Sequence, residues 1–214
     1  MLRCKHVQPL HLKLSAWEVR NLLEHRNLIG TNYPPTEVYP DYEAPVITAQ
    51  ADGTRAVRTM RWGFPEFPGE RGVRTNVRNP KSAPWRGKFE VASRCVVPVD
   101  AFCEYQDGPS PKPKRWFGRP DARPFFFAGT WMPWEGARGT KKAPVVGTHQ
   151  LFTFLTTSAN SIVKPVHAKA MPVLLLTDAD VETWLTAPTD EALKLQKRAP
   201  DDAVVVLPEE KKAA

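Results

Sequence analysis

LFTFLTTSANSIVKPVHAKAMPVLLL, residues 151–176, decides how this chain is read. Leu151, Phe152, Phe154 and Leu155 form a short apolar run that Thr156, Thr157, Ser158 and Asn160 stop. Residues 171–176 form a second run of β-compatible residues, so the stretch predicts two buried strands joined by a polar crossing. His167 lies in that crossing, with Lys169 just after it. Pro165 and Pro172 restrict the backbone on either side. A lone imidazole on a stiff loop between core strands suits catalysis, and it equally suits a ring that only hydrogen-bonds a loop carbonyl.

Outward from this stretch, most of the chain reads as strands at short spacing. Val46-Ile47-Thr48 and residues 56–62 flank Asp52-Gly53, a hairpin turn signal. Residues 95–99 read as a buried strand that continues through 105, and residues 125–131 as another. Residues 106–123 and 135–147 read as basic loops, the first proline-rich and mobile. Helical signals cluster near the ends. Ser15-Ala16-Trp17-Glu18 has the form of a capping box, with Val19, Leu22 and Leu23 as the buried stripe. Residues 177–180 cap a short helix running through 185, Thr189 caps another reaching about residue 198, and residues 203–207 predict a closing strand. The implied fold is α+β, a mainly antiparallel, barrel-like curved sheet with a few peripheral helices. Residues 15–207 make one domain, preceded by a divergent segment 1–14 and followed by a frayed tail 208–214.

Composition narrows the partners. The 214 residues carry 30 basic and 23 acidic side chains, a formal +7, which favours an anionic partner such as nucleic acid. Twenty-two prolines argue for a loop-rich strand fold over a helical bundle. No apolar run approaches the ~20 residues of a membrane span, and no charged-then-apolar leader opens the sequence. The three cysteines, Cys4, Cys95 and Cys103, lack C-x-x-C spacing. That disfavours a disulfide framework or a zinc site and fits the cytoplasm; no metal and no cofactor is expected.

Several side chains could carry chemistry. Glu104 closes an apolar strand, where desolvation suits proton transfer; an ion-paired glutamate at a strand edge is the plainer reading. Asn76, in Thr75-Asn76-Val77-Arg78-Asn79, could orient a reacting group or simply serve a turn. Arg78 could meet a phosphate, and Trp62 could stack on a base or fill the core. Cys95 or Cys103 with His167 and Asn160 would make a cysteine peptidase, although both thiols lie in apolar strand sequence where inert cysteines are commoner.

Five motifs in order carry a resemblance. They are Arg61-Trp62-Gly63-Phe64; Thr75-Asn76-Val77-Arg78-Asn79; Arg94-Cys95-Val96-Val97-Pro98 leading into Ala101-Phe102-Cys103-Glu104; Leu155-Thr156-Thr157-Ser158-Ala159-Asn160; and His167-Ala168-Lys169-Ala170-Met171-Pro172-Val173. On these the chain resembles the SOS response-associated peptidases, also called abasic-site processing proteins. The resemblance implies a DNA-damage enzyme that recognises abasic sites in single-stranded DNA; a monomer is expected. It captures them through an N-terminal cysteine, whose amine forms a Schiff base and whose thiol closes a thiazolidine, and it has an associated self-processing peptidase activity. By motif, Glu104 would be the acid/base, His167 would assist sugar ring opening and Asn76 would position the amine. Arg78, Thr157 and Lys169 would hold the DNA, with Trp62 stacked beside the lesion. Lys169 stands where many relatives have arginine, which keeps the charge and loses the fork geometry.

The resemblance fails at one place. Relatives have cysteine as second residue; here it is Leu2. Cys4 is the nearest thiol, and its nitrogen is an amide, which forms no Schiff base. Three explanations compete: a misassigned start, cleavage after Arg3 that frees Cys4, or a divergent member that binds DNA without cross-linking.

Overall fold

The structure, a computed structural model, describes residues 10–12, 36–66, 73–106, 108–140 and 142–208, with residues 10–12 and 36 described by backbone alone. The capping box at 15–18, its helix and Cys4 lie outside the described residues. Fifteen strands are described. The first seven are β1 (Leu10–Leu12), β2 (Thr36–Val38), β3 (Glu43–Ala49), β4 (Arg55–Trp62), β5 (Phe64–Pro65), β6 (Val73–Arg74) and β7 (Asn76–Val77). Then come β8 (Arg94–Val99), β9 (Ala101–Tyr105), β10 (Lys114–Gly118), β11 (Phe125–Thr140) and β12 (Ala143–Thr157). After them lie β13 (Met171–Pro172), β14 (Leu174–Leu175), the helices α1 (Asp178–Thr186) and α2 (Thr189–Ala192), and β15 (Val205–Val206).

Strands β12, β4, β3, β8 and β11 follow one another edge to edge, and β11 pairs back onto β12, so the sheet closes on itself. Closure removes the exposed edges of an open sheet. The strand period of two sorts the side chains. Val46, Met60, Trp62, Cys95, Val97, Phe125, Phe127, Phe152 and Phe154 meet in one core. Their alternates Ile47, Val96, Phe126, Ala128, Leu151 and Leu155 meet Trp184 and Leu185 of α1 in a second. The sheet is mainly antiparallel, with two exceptions: β4 and β7 both run parallel to β12.

Close approaches fix the seam between the two cores. A Cβ on Gly129 would lie 2.8 Å from Cys95 Sγ and 3.1 Å from the Thr153 carbonyl, so only glycine lets β11 pass there. The Trp184 indole N–H donates to the carbonyls of Cys95 (2.9 Å) and Gly129 (3.1 Å), pinning α1 to the barrel. Arg94 is fully buried and donates to the Trp184 carbonyl (2.6 Å) and to that of Ala187, two of the acceptors that the end of α1 leaves open. Thr177 and Asp180 form a reciprocal capping box at its start, where the sequence placed a cap.

Four expectations need correction. Residues 106–123 are not all loop, because Lys114–Gly118 is β10, paired along β9 from Lys114↔Tyr105 to Gly118↔Ala101. Nor is 135–147 a loop: β11 and β12 continue as a hairpin arm to Thr140↔Ala143. Gly136, Gly139 and Gly147 interrupt the side-chain alternation there and hid the strands. Arg138 folds the arm back by donating to the Gly63 carbonyl (2.6 Å), and Gly139 N donates to Asp41 Oδ2 (2.7 Å). Finally, the second helix stops at Ala192 and tightens into a 3₁₀ turn over Leu193–Leu195, and the closing strand is only Val205–Val206.

Candidate active site

Glu104 and His167 meet. The first closes the buried run Ala101–Phe102–Cys103 on β9 and is 3% exposed. The second ends a helical turn in the crossing after β12, built by Lys164 N to the Asn160 carbonyl (2.9 Å) and His167 N to the Val163 carbonyl (2.9 Å). Val163 and Val166 bury the apolar side of that turn. Asn160 holds its base from a fully buried position: Oδ1 accepts from Val163 N (3.0 Å) and Nδ2 donates to the Pro200 carbonyl (3.1 Å). His167 Nδ1 then lies 3.3 Å from Glu104 Oε2 and 2.9 Å from the Ala170 carbonyl oxygen. A carbonyl oxygen only accepts, so Nδ1 carries the proton. In the neutral ring the lone pair is therefore on Nε2, which is the nitrogen that can serve as a base.

The other motifs reach the same end of β12 from its two edges. On one edge β7 pairs Asn76↔Phe154 and Val77↔Leu155. On the other, β13 pairs Met171↔Thr157 and Pro172↔Thr156, four residues beyond His167. Asn76 is half-buried, Arg78 and Lys169 are exposed, and Thr157 is buried. The site thus presents a carboxylate–imidazole pair inside and two cations at the surface.

Trp62 is a correction. It is fully buried, its ring stacked on Phe154 with centroids 5.6 Å apart. Its indole N–H donates 2.8 Å to the Thr75 carbonyl. Apolar burial takes the ring into the barrel, where it supports β7 from within and offers no face to a base. The two strand cysteines are also unsuited to nucleophilic work. Burial pushes the Cys95 thiol well above its ordinary range and the Cys103 thiol up to about 12, so neither forms a thiolate near neutral pH. Asn160 is used up by Val163 and Pro200, which removes the third member of a cysteine-peptidase arrangement. Among the described residues no group of three His, Cys, Asp or Glu stands together to hold a metal ion.

Sequence reading missed two supports of the site. Arg115 lies opposite Glu104 on β10 and its Nε donates to Gln106 Oε1 (3.1 Å). The aromatic pair Trp116-Phe117 is the available β signal, and the surrounding prolines obscured it. Gln196 Nε2 donates to the carbonyls of Arg78 and Thr156, both at 2.9 Å. No local pattern marks it.

The order of these elements has counterparts. Residues 10–212 match the family described as SOS response associated peptidase (SRAP). The chain belongs to that family. Among curated proteins it is similar to the abasic site processing protein YoqW of Bacillus subtilis strain 168 and to that of Bacillus phage SPbeta. Each is 27% identical over 180 residues, covering 78% of this chain and 76% of the relative. Among solved structures it shares its fold with a Bordetella bronchiseptica protein at TM-score 0.72 and 22% identity, covering 95% of this chain and 100% of that one. A Bacteroides thetaiotaomicron protein also reaches TM-score 0.72, at 19% identity, covering 94% and 92%. The SRAP match spans the described motifs from β1 onward. No described helix is long and apolar enough to cross a membrane.

Proposed function

We propose that this SRAP protein processes abasic sites in single-stranded DNA and captures them covalently through an N-terminal cysteine. The observation that carries the reading is the 3.3 Å approach of Glu104 Oε2 to His167 Nδ1, two residues 63 positions apart in sequence that the fold unites. In this reading His167 Nε2 takes the hydroxyl proton of the closed sugar, the bond from that carbon to the ring oxygen breaks as the ring oxygen takes up a proton, and an aldehyde is exposed. Asn76 holds the cysteine amine, which adds to the aldehyde carbon. Glu104 moves the proton that allows the carbinolamine to lose water as an imine. The thiol then adds across the imine, sulfur to carbon and proton to nitrogen, and closes the thiazolidine. Arg78 and Lys169 hold phosphates on either side, with Thr157 beneath the strand. The reading implies a monomer at work on DNA in the cytoplasm and needs no cofactor.

The path of the chain supports an N-terminal participant. β1 runs antiparallel to β9 with Leu10↔Phe102 and His11↔Ala101, so the chain enters β1 from the Glu104 end of β9. Cys4 stands six residues before Leu10, a reach of up to about 20 Å. Hydrolysis of the Arg3–Cys4 amide, with Glu104 activating the water, would free the amine that capture requires. Were the natural N-terminus to lie at Met1 and stay uncleaved, with Cys4 in amide linkage, a second reading would apply, a single-strand-binding protein that does not cross-link.

Incubating single-stranded DNA that contains one abasic site with two forms of the protein, the full chain and a chain beginning at Cys4, separates the readings. Capture predicts a heat-stable adduct on a denaturing gel with the form bearing free Cys4. Salt-sensitive binding with no adduct from either form leaves the second reading.

A further inference from the structure

We propose that Gln196 is a positioning residue that sets Arg78 for its phosphate contact, a step that rests on the DNA reading above. β7 is only two residues long, and its ladder to β12 ends at Val77↔Leu155. The next two carbonyls, Arg78 O on one side and Thr156 O on the other, would be left without donors there. Gln196 supplies both: its single amide nitrogen donates one hydrogen to each, at 2.9 Å and 2.9 Å. A primary amide carries two N–H bonds on one nitrogen and so bridges two acceptors at the point where two strands part.

The anchor is firm at its own end. Gln196 leaves the 3₁₀ turn Leu193–Leu195, whose two leucines pack on the second core, with Ala192 and Ala199 buried on either side. The same short stretch also holds the histidine loop, because the Pro200 carbonyl accepts from Asn160 Nδ2 (3.1 Å) and Asp201 Oδ1 from Ser161 N (2.9 Å). Residues 196–201 therefore tie together the strand end that bears Thr157, the segment that bears Arg78 and the loop that bears His167. Arg78 itself is exposed and follows the two-residue β7, so the clamp on its own carbonyl holds the backbone from which its side chain leaves.

The experiment compares Gln196→Met, which keeps the shape and loses both donors, with Gln196→Asn, one methylene too short to span. Two readouts are needed. Hydrogen exchange over residues 76–79, together with trypsin nicking after Arg78, reports the clamp without DNA. The slope of log K against log [salt] for a single-stranded oligonucleotide reports the phosphate contact, about 0.7 per phosphate. The expected result is several-fold faster exchange and nicking at 76–79 and a slope smaller by about 0.7. That loss should equal the one given by Arg78→Met, with no further loss in the double variant. Unchanged exchange in both variants overturns the clamp. Faster exchange with an undiminished slope, while Arg78→Met lowers it, overturns the positioning role. If Arg78→Met itself leaves the slope intact, the DNA reading of Arg78 fails, and the exchange data still decide the clamp on their own. Should Gln196→Met not fold, Gln196→Asn carries both readouts.

Discussion

Replacing Asn160 by alanine tests whether the histidine loop is held as described. Asn160 is fully buried, and its amide satisfies one donor, Val163 N at 3.0 Å, and one acceptor, the Pro200 carbonyl at 3.1 Å. Truncation leaves the buried Val163 N without its partner, while the Pro200 carbonyl loses one of two donors and keeps Ala203 N (3.1 Å). At about 1–3 kcal/mol for the one orphaned buried donor, the loss is of order 2 kcal/mol, a sizeable part of a typical domain's stability though short of unfolding it. The Asp variant sharpens the test. A carboxylate still accepts from Val163 N, yet it turns a negative oxygen toward the Pro200 carbonyl, so the folded state favours the protonated acid, which can donate there. The sign follows: the folded-state pKa of that aspartate lies above its unfolded value, so the folded state binds the proton more tightly. Asn160→Asp should therefore lose stability as pH rises through the unfolded and folded values and regain it on acidification. Urea unfolding at pH 5 and pH 8 measures both effects. A loss under about 1 kcal/mol for Asn160→Ala, or a pH-independent penalty for Asn160→Asp, would refute the assignment.

Glu104→Gln preserves shape and an acceptor for His167 while removing the carboxyl proposed to move the dehydration proton. Adduct formation with abasic-site DNA should slow by roughly 10²–10⁴, with equilibrium binding little changed, in a gel time course. Cys95→Ala and Cys103→Ala should each leave adduct formation intact, and iodoacetamide should fail to label either thiol in the folded protein near neutral pH, because burial holds both protonated; labelling at either position would contradict the burial. Arg94→Met removes donors to the Trp184 and Ala187 carbonyls, so thermal melting should show a loss of about 2–4 kcal/mol.

Much of the candidate site's geometry was legible because its residues lie in short motifs with apolar flanks. Glu104 closes a run of buried residues, and His167 sits between two prolines; both patterns survive as written in β9 and in the crossing after β12. Trp62 misled because sequence shows that a ring is large and apolar without showing which side of a closed barrel it takes. β10 was hidden among prolines, and the β11–β12 arm among glycines, since both residue types erase alternation even where strands form. The parallel pairing of β7 with β12 and the reach of Gln196 across 118 positions to Arg78 arise from tertiary closure, which no local window contains. The same holds for Arg115, legible as a basic residue and not as the cross-strand neighbour of Glu104.

The most direct measurement is the intact mass of the protein, beginning at Cys4 or at its natural N-terminus as read by mass spectrometry, after incubation with single-stranded DNA carrying one abasic site. The account predicts a product equal to protein plus DNA minus one water, stable to heat, formed with free N-terminal cysteine and greatly slowed by Glu104→Gln. Protein with a verified N-terminal cysteine that binds this DNA and never gains that mass would contradict it.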